Sequence, residues 1–170
     1  AVDFVKQYCR VPVDRRYETV ITSGAGYPLD KTYYQTVKGK VGALGALAPG
    51  GNLIVVSQCE EGLGSNEYIS AQQRFIEHGV DHFLQSIENK PHAEIDEWQT
   101  QMQTKAMLRG KIHLHCDLND DQFELTAVAK ANDLEQTIRE CISSSSDRSV
   151  AVIPEGPYVI PYLEQELANS

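Results

Sequence analysis

The stretch N-L-I-V-V-S at Asn52 to Ser57, followed at once by Q-C-E-E-G-L-G-S at Gln58 to Ser65, decides the fold class. Four consecutive aliphatic residues leave neither side polar, the pattern of a strand covered on both faces, as in a parallel sheet. The abrupt change to a thiol, two carboxylates and two glycines marks the loop at the strand's carboxyl end. The same grammar recurs along the chain. Y-E-T-V-I-T at Tyr17 to Thr22 runs into S-G-A-G-Y-P at Ser23 to Pro28. K-I-H-L-H-C at Lys111 to Cys116 runs into Asp117, and V-A-V-I at Val150 to Ile153 runs into P-E-G-P at Pro154 to Pro157.

Helical patterns separate these strands. Asp30 is a candidate N-cap. Tyr34, Val37, Val41, Leu44 and Ala48 after it recur at three- and four-residue steps, the spacing of one buried stripe, and Pro49-Gly50-Gly51 is the stop. Helical segments are expected over Glu67 to Glu77 and Val80 to Glu88, broken by Asn89-Lys90-Pro91, and over Asp96 to Leu108, stopping at Gly110. A short helix over Asp120 to Leu125, a brief strand over Ala127 to Ala129 and an amphipathic helix over Leu134 to Ser143 follow. At the flanks, Ala1 to Tyr8 reads as the end of a helix, Arg10 to Arg16 as a connector, Val150 to Ile153 as the last strand and Pro161 to Leu167 as a closing helix. Strands alternating with helices specify an α/β domain: three layers, a mostly parallel sheet, helices on both faces, Rossmann-like. Ligands of such sheets sit at the carboxyl ends of the strands, where all four polar loops fall.

Composition sets the bounds. A chain of 170 residues with 41% hydrophobic and 23% charged content is one ordinary globular domain, residues 1–170, with no fixed-period repeat. No apolar run approaches the ~20 residues of a membrane helix. Fifteen Lys and Arg against 24 Asp and Glu give a formal net charge of −9 and a pI near 5.0. The basic residues are scattered, so neither nucleic acid nor an anionic membrane surface is expected as a partner. Cys9, Cys59, Cys116 and Cys141 form no C-x-x-C pair, and no signal peptide precedes them. Reduced thiols and a cytoplasmic location are expected. The start, Ala1-Val2-Asp3-Phe4, reads as the interior of a longer chain.

Several residue groups could carry chemistry. The S-G-A-G-Y-P loop, with Gly24 and Gly26, could present backbone N–H groups to an anion. It lacks the third glycine of a dinucleotide fingerprint, and Pro28 intrudes; a tight strand-to-helix turn is the plainer alternative. Gln35 and Lys38 are three apart, hence neighbours on one helix face. An amide beside an ammonium could grip a carboxylate, and a solvated helix face is the alternative. Gly39, Gly42 and Gly45 cost about 1 kcal/mol each against alanine in a helix, which implies that something packs very close. Glu60 and Glu61, flanked by Gly62 and Gly64, could do acid–base work if burial separated their pKa values, or could be solvated loop acids. His113 and His115 share one side of a strand, but no third metal ligand is evident. Trp98, the only tryptophan, joins Ile95 and Met102 at helical steps as a core or rim aromatic.

Taken in order, T-S-G-A-G-Y-P-L-D, Y-Y-Q-T-V-K-G, P-G-G-N-L-I-V-V-S-Q-C-E-E-G-L-G-S, D-E-W-Q-T-Q-M and V-I-P-E-G resemble the C-terminal domain of the nickel-pincer-dependent lactate racemase family, from about Tyr17 to Pro157. The resemblance implies a two-domain enzyme. Its larger N-terminal domain, absent from this sequence, would hold a pyridinium-derived nickel pincer cofactor and the two histidines that serve as acid and base. The histidines of this chain do not match those motifs, so no metal or base role is carried onto them, and no cofactor is expected in this fragment alone. The implied chemistry removes a proton and a hydride from a 2-hydroxy acid, passes through a 2-keto acid and returns the hydride to either face. The implied role of this domain is one wall of the cleft. Gln35 and Lys38 match residues holding the substrate carboxylate and hydroxyl, Tyr34 lies beside them, and Trp98 matches a tryptophan near the cofactor. Glu60, Glu61, Gly62 and Gly64 would lie in the interdomain cleft with Gly24 and Gly26. The expected partners are the chain's own N-terminal domain and a small 2-hydroxy acid. Two other readings stand beside this one: a stand-alone α/β phosphate- or nucleotide-binding module without catalysis, and a non-catalytic interaction domain.

Overall fold

The computed structural model describes residues 2–164. After a first helix, α1 (Val2–Cys9), the elements run β1 (Arg10–Val13), β2 (Tyr17–Ser23), α2 (Tyr33–Gly42), β3 (Leu47–Val56), α3 (Asn66–Glu88), α4 (Glu97–Arg109), β4 (Lys111–His115), α5 (Asp120–Glu124), β5 (Ala129–Lys130), α6 (Leu134–Ser144), β6 (Val150–Ile153) and β7 (Ile160–Leu163). Five strands form one parallel sheet in the order β5-β4-β3-β2-β6. β3 lies at its centre, as its unbroken aliphatic run requires. The chain is thus an α/β domain with a parallel sheet.

Alternation along the strands sends two sets of side chains to opposite faces. Val20, Leu53, Val55, Ile112 and Leu114 enter the main core with Val37 of α2 and Ala106 of α4. A buried aliphatic side chain of this size is worth about 1.5–3 kcal/mol. Burial on this face, not intrinsic propensity, therefore holds the glycine-rich α2. The other face is covered by α6: Cys141 Sγ lies 3.6 Å from His113 Nε2, and Ser145, at its C-terminal end, meets Thr19 across 3.2 Å. α3 packs on the outside of α4 and breaks at Gly79 (φ +79°), between the two helical segments expected from sequence.

Six local expectations are corrected. Arg10 to Val13 is not a connector: β1 pairs in parallel with β7, a separate two-stranded sheet. For the same reason β6 is not the last strand, and residues 161–163 are extended where a helix over Pro161 to Leu167 was expected; Glu164 is helical, and 165–167 lie outside the described residues. Asp30 does not cap α2. It sits in a 3-10 turn, its carboxylate accepts from Gln58 N at 3.1 Å, and Thr32 caps the helix by accepting from Gln35 N. The buried stripe of α2 is Tyr33, Thr36, Val37 and Lys40, one position off the expected Tyr34-centred stripe, with Tyr34, Val41 and Leu44 at the margin of the core. The helix also ends at Gly42, short of Pro49. Pro49 to Gly51 instead form an irregularity within β3, where the β2 pairing jumps from Tyr17↔Leu47 to Thr19↔Asn52.

Candidate functional site

The carboxyl edge of the sheet positions the first turn of α2. The loop after β3 is tied to it by backbone bonds, Tyr33 N to Gly62 O at 3.0 Å and Tyr34 N to Leu63 O at 2.9 Å. Gly64 has φ +130°, and a β-carbon there would stand 3.0 Å from Tyr34 Cβ, so glycine is what lets loop and helix meet. Tyr34 is then fixed from the α4 side. Its carbonyl accepts from Gln99 Nε2 at 2.6 Å. Its ring stands edge-on to Trp98 at 6.1 Å and to Tyr68 at 5.3 Å. Burial raises the Tyr34 hydroxyl above the usual phenol pKa, and the Asp96 carboxylate pushes the same way. The hydroxyl therefore stays protonated, a donor at neutral pH.

Gln35 and Lys38 project from the next face of the same helix. Gln35 is half-buried and Lys38 exposed, with Lys38 Nζ 5.7 Å from the centroid of the Tyr34 ring, a cation–π distance. Together with Gly24, Leu29, Pro157 and Tyr158 they line a cleft of about 210 Å³. Lys38 is the one cation on that lining. A second, apolar groove lies on its other side, lined by Val37, Lys38, Val41, Trp98, Gln99 and Met102. Tyr34, Gln35, Lys38, Gly24 and Trp98 are thus gathered in one region. Gly26 does not line the cleft. Glu60 is exposed, and Glu61 is exposed and paired with Lys31, so the two acids stand in solvent rather than in a shared buried site.

The glycines of α2 explain the far wall. A β-carbon at Gly39 would overlap the Ser23 carbonyl oxygen, one at Gly42 the Gly156 oxygen, and one at Gly45 the Pro161 oxygen. What packs close is therefore backbone: the end of β2, the turn after β6, and β7. The turn Gly156–Tyr158 is laid along α2 just past Lys38. Sequence reasoning quoted V-I-P-E-G but passed over Leu29, Pro157 and Tyr158 as site residues. The available signal was the glycine spacing, which shows that α2 is overlain without showing by what.

The loop at Ser23 to Pro28 does not make a phosphate cradle. Gly24 N bonds Val56 O, Ala25 N bonds Ser23 Oγ, and Leu29 N and Asp30 N bond Gly26 O, so these donors are used within the chain. His113 and His115 are likewise engaged, His113 with Asn52 Oδ1 at 3.1 Å and His115 with the Ala131 carbonyl at 2.7 Å. Among the described residues no group of three His, Cys, Asp or Glu side chains could hold a metal ion.

Beneath the cleft lies a sealed polar cluster that sequence reasoning missed. Lys40 is fully buried; its Nζ donates to Tyr33 Oη at 2.5 Å, and Tyr33 Oη donates to the Thr126 carbonyl at 2.9 Å. Burial drives the Lys40 pKa down to about 7. Thr36 Oγ1 bonds Ser57 Oγ at 2.6 Å and lies 3.3 Å from Cys59 Sγ. The Cys116 hydrogen bond, with Thr36, Ser57 and the Lys40 charge, lowers the Cys59 thiol to about 7, while Cys116 is pushed up. All four cysteines are free thiols.

Lactate racemase of Thermoanaerobacterium thermosaccharolyticum is 28% identical over 149 residues, covering 84% of this chain and 34% of the relative. Lactate racemase of Lactiplantibacillus plantarum is 28% identical over 169 residues, covering 93% and 38% respectively. The chain therefore spans just over a third of the length of these curated relatives. The lactate racemase apoprotein structure from T. thermosaccharolyticum superposes with a TM-score of 0.80 at 27% identity, over 94% of this chain and 38% of that one. A Thermotoga maritima protein shares the fold alone, with a TM-score of 0.60 at 14% identity over 95% of this chain and 40% of that one. Residues 13–161 match the family described as the lactate racemase C-terminal domain, and the chain belongs to that family.

Proposed function

We propose that this chain is the substrate-covering C-terminal domain of a two-domain, cytoplasmic racemase or epimerase of lactate-type 2-hydroxy acids, in which Gln35 and Lys38 hold the substrate. The observation that carries the reading is the pairing of an amide and an ammonium, one helical turn apart, on a cleft at the sheet's carboxyl edge. An ammonium and a carboxylate 4 Å apart attract by about 4 kcal/mol near a protein surface. The amide can donate to one oxygen while accepting from a hydroxyl, which fixes orientation as well as position. Tyr34 backs Lys38 with its ring, and Trp98 closes the side toward the apolar groove.

The chemistry proper asks for more than this chain offers. Conversion of a 2-hydroxy acid to its mirror image through a 2-keto acid takes the hydroxyl proton and the hydride on C2, then returns both. The nickel pincer that the resemblance implies would, when bound outside these residues, supply hydride-transfer chemistry. Residues of the same missing part would move the proton. What Gln35 and Lys38 do is hold the anion still and offset its charge while C2 is planar.

Removing Lys38 tests the reading. A hydrogen bond to a charged group is worth about 1.5–3 kcal/mol, so Lys38→Ala in the full-length protein should lower kcat/KM for lactate roughly 10- to 150-fold. Gln35→Ala should cost less. Unchanged kinetics in Lys38→Ala would remove the residue from the site and the reading with it.

A further inference from the structure

We propose that Leu29, Pro157 and Tyr158 form the recognition wall for the substituent on C2 of the acid, and that this wall selects 2-hydroxy acids with an uncharged apolar substituent over those bearing a second carboxylate. The inference rests on the proposed function, because it takes Gln35 and Lys38 as the anchor of the substrate carboxylate. The cleft they share with Gly24, Leu29, Pro157 and Tyr158 has one cationic end, and every other lining side chain is uncharged. A molecule anchored by its carboxylate at Lys38 must therefore lay the rest of itself against an aliphatic side chain, a proline ring and a phenol.

The wall is held rigidly, which a selecting surface needs. The Gly156 carbonyl rests on Gly42 where no β-carbon fits, and Gly156 itself faces Thr22 and the Ser23 carbonyl just as closely. Tyr158 N bonds the Glu155 carbonyl at 2.9 Å, and Ser23 Oγ donates to the Pro154 carbonyl. On the other side, Leu29 N is tied to Gly26 O at 2.9 Å. A second carboxylate laid against this wall would exchange part of its water for an aliphatic side chain, a proline ring and a phenol, with no cation on that part of the lining to meet it. The nearby charges do not help: Glu155 is itself acidic, and Lys31 is already paired with Glu61.

The test is a panel of lactate, 2-hydroxybutyrate, 3-phenyllactate and malate, measured as kcat/KM with the full-length protein and its Tyr158→Ala, Leu29→Lys and Lys38→Ala variants. Each buried methylene is worth about 0.8 kcal/mol, roughly fourfold. Tyr158→Ala should therefore cut the preference for 3-phenyllactate or 2-hydroxybutyrate over lactate by fourfold or more. Leu29→Lys should raise malate relative to lactate about tenfold or more, and it stands alone should Tyr158→Ala prove unfolded. If Lys38→Ala depresses all acids while both wall variants keep every ratio within twofold, the anchor stands and the wall is refuted. If Lys38→Ala leaves all rates unchanged, the anchor is refuted and the wall with it.

Discussion

Lys40 shows how one residue can mislead a sequence reading and then govern a measurable property. Its ammonium is sealed against Tyr33 with the pKa held near 7, against an ordinary 10.5. Between those values the unfolded chain binds more protons than the folded one, so folding stability rises with pH from about 7 toward 10. Below pH 7 both states are protonated and the folded state bears the full cost of a buried cation. Cys59, lowered to about 7 by its hydrogen bond with Cys116, acts in the same direction up to about 9; above that Cys116, pushed up by the same bond, acts against it. A cation buried without a carboxylate partner is costly, so an apolar side chain of similar length is better tolerated there. Lys40→Met should therefore raise the melting temperature at pH 6 by several degrees, at about 2–4 °C per kcal/mol for a chain of this size. It should also flatten the climb between pH 7 and 9. Melting curves at pH 6, 7.5 and 9 check both; a variant that is less stable at pH 6 and keeps the full slope would mean the cation itself is a structural necessity.

At the level of elements, α2 is held by what lies on its glycines. In an open helix Gly→Ala gains about 1 kcal/mol of propensity. At Gly42 the added methyl would overlap the Gly156 carbonyl, a backbone atom that cannot swing away. Overpacking of that kind costs about 1–3 kcal/mol. Gly42→Ala should therefore lower the melting temperature despite its better helix propensity, and a stabilised variant would show that the turn does not rest on the helix. The central strands were readable because aliphatic runs in a parallel sheet have no competing pattern, and the break in α3 because Gly79 stands between two amphipathic segments. The face of α2 was read one position off because Lys40 looks like a solvent residue, so hydropathy favoured Tyr34 over Tyr33. The β1–β7 pair was invisible for another reason. Each partner is four residues long and carries a proline, Pro12 and Pro161, and the two lie some 150 positions apart. Gln35 and Lys38 were legible as neighbours from their spacing. Tyr158 was not, since only folding brings the turn after β6 across α2.

For the molecule as a whole, what the cleft lacks is as informative as what it holds. Racemisation of a 2-hydroxy acid needs a group that accepts the hydroxyl proton and gives it back near neutral pH. The titratable side chains on the cleft are Lys38 and Tyr158. Lys38 is taken by the anion under the proposed function, and Tyr158 by the wall. His78 and His82 lie together on α3, and His113 and His115 are bonded on β4, all away from the lining. Under the proposed function the domain binds and orients the acid, and groups outside the described residues move the proton and the hydride. The 170-residue chain on its own should leave L-lactate unconverted when followed by polarimetry or a D-lactate-specific assay, and should carry far less than one nickel per chain. The full-length protein should racemise, more weakly when Lys38 is replaced. Turnover by the 170 residues alone would place acid–base chemistry on this chain and overturn the division of labour argued from its cleft.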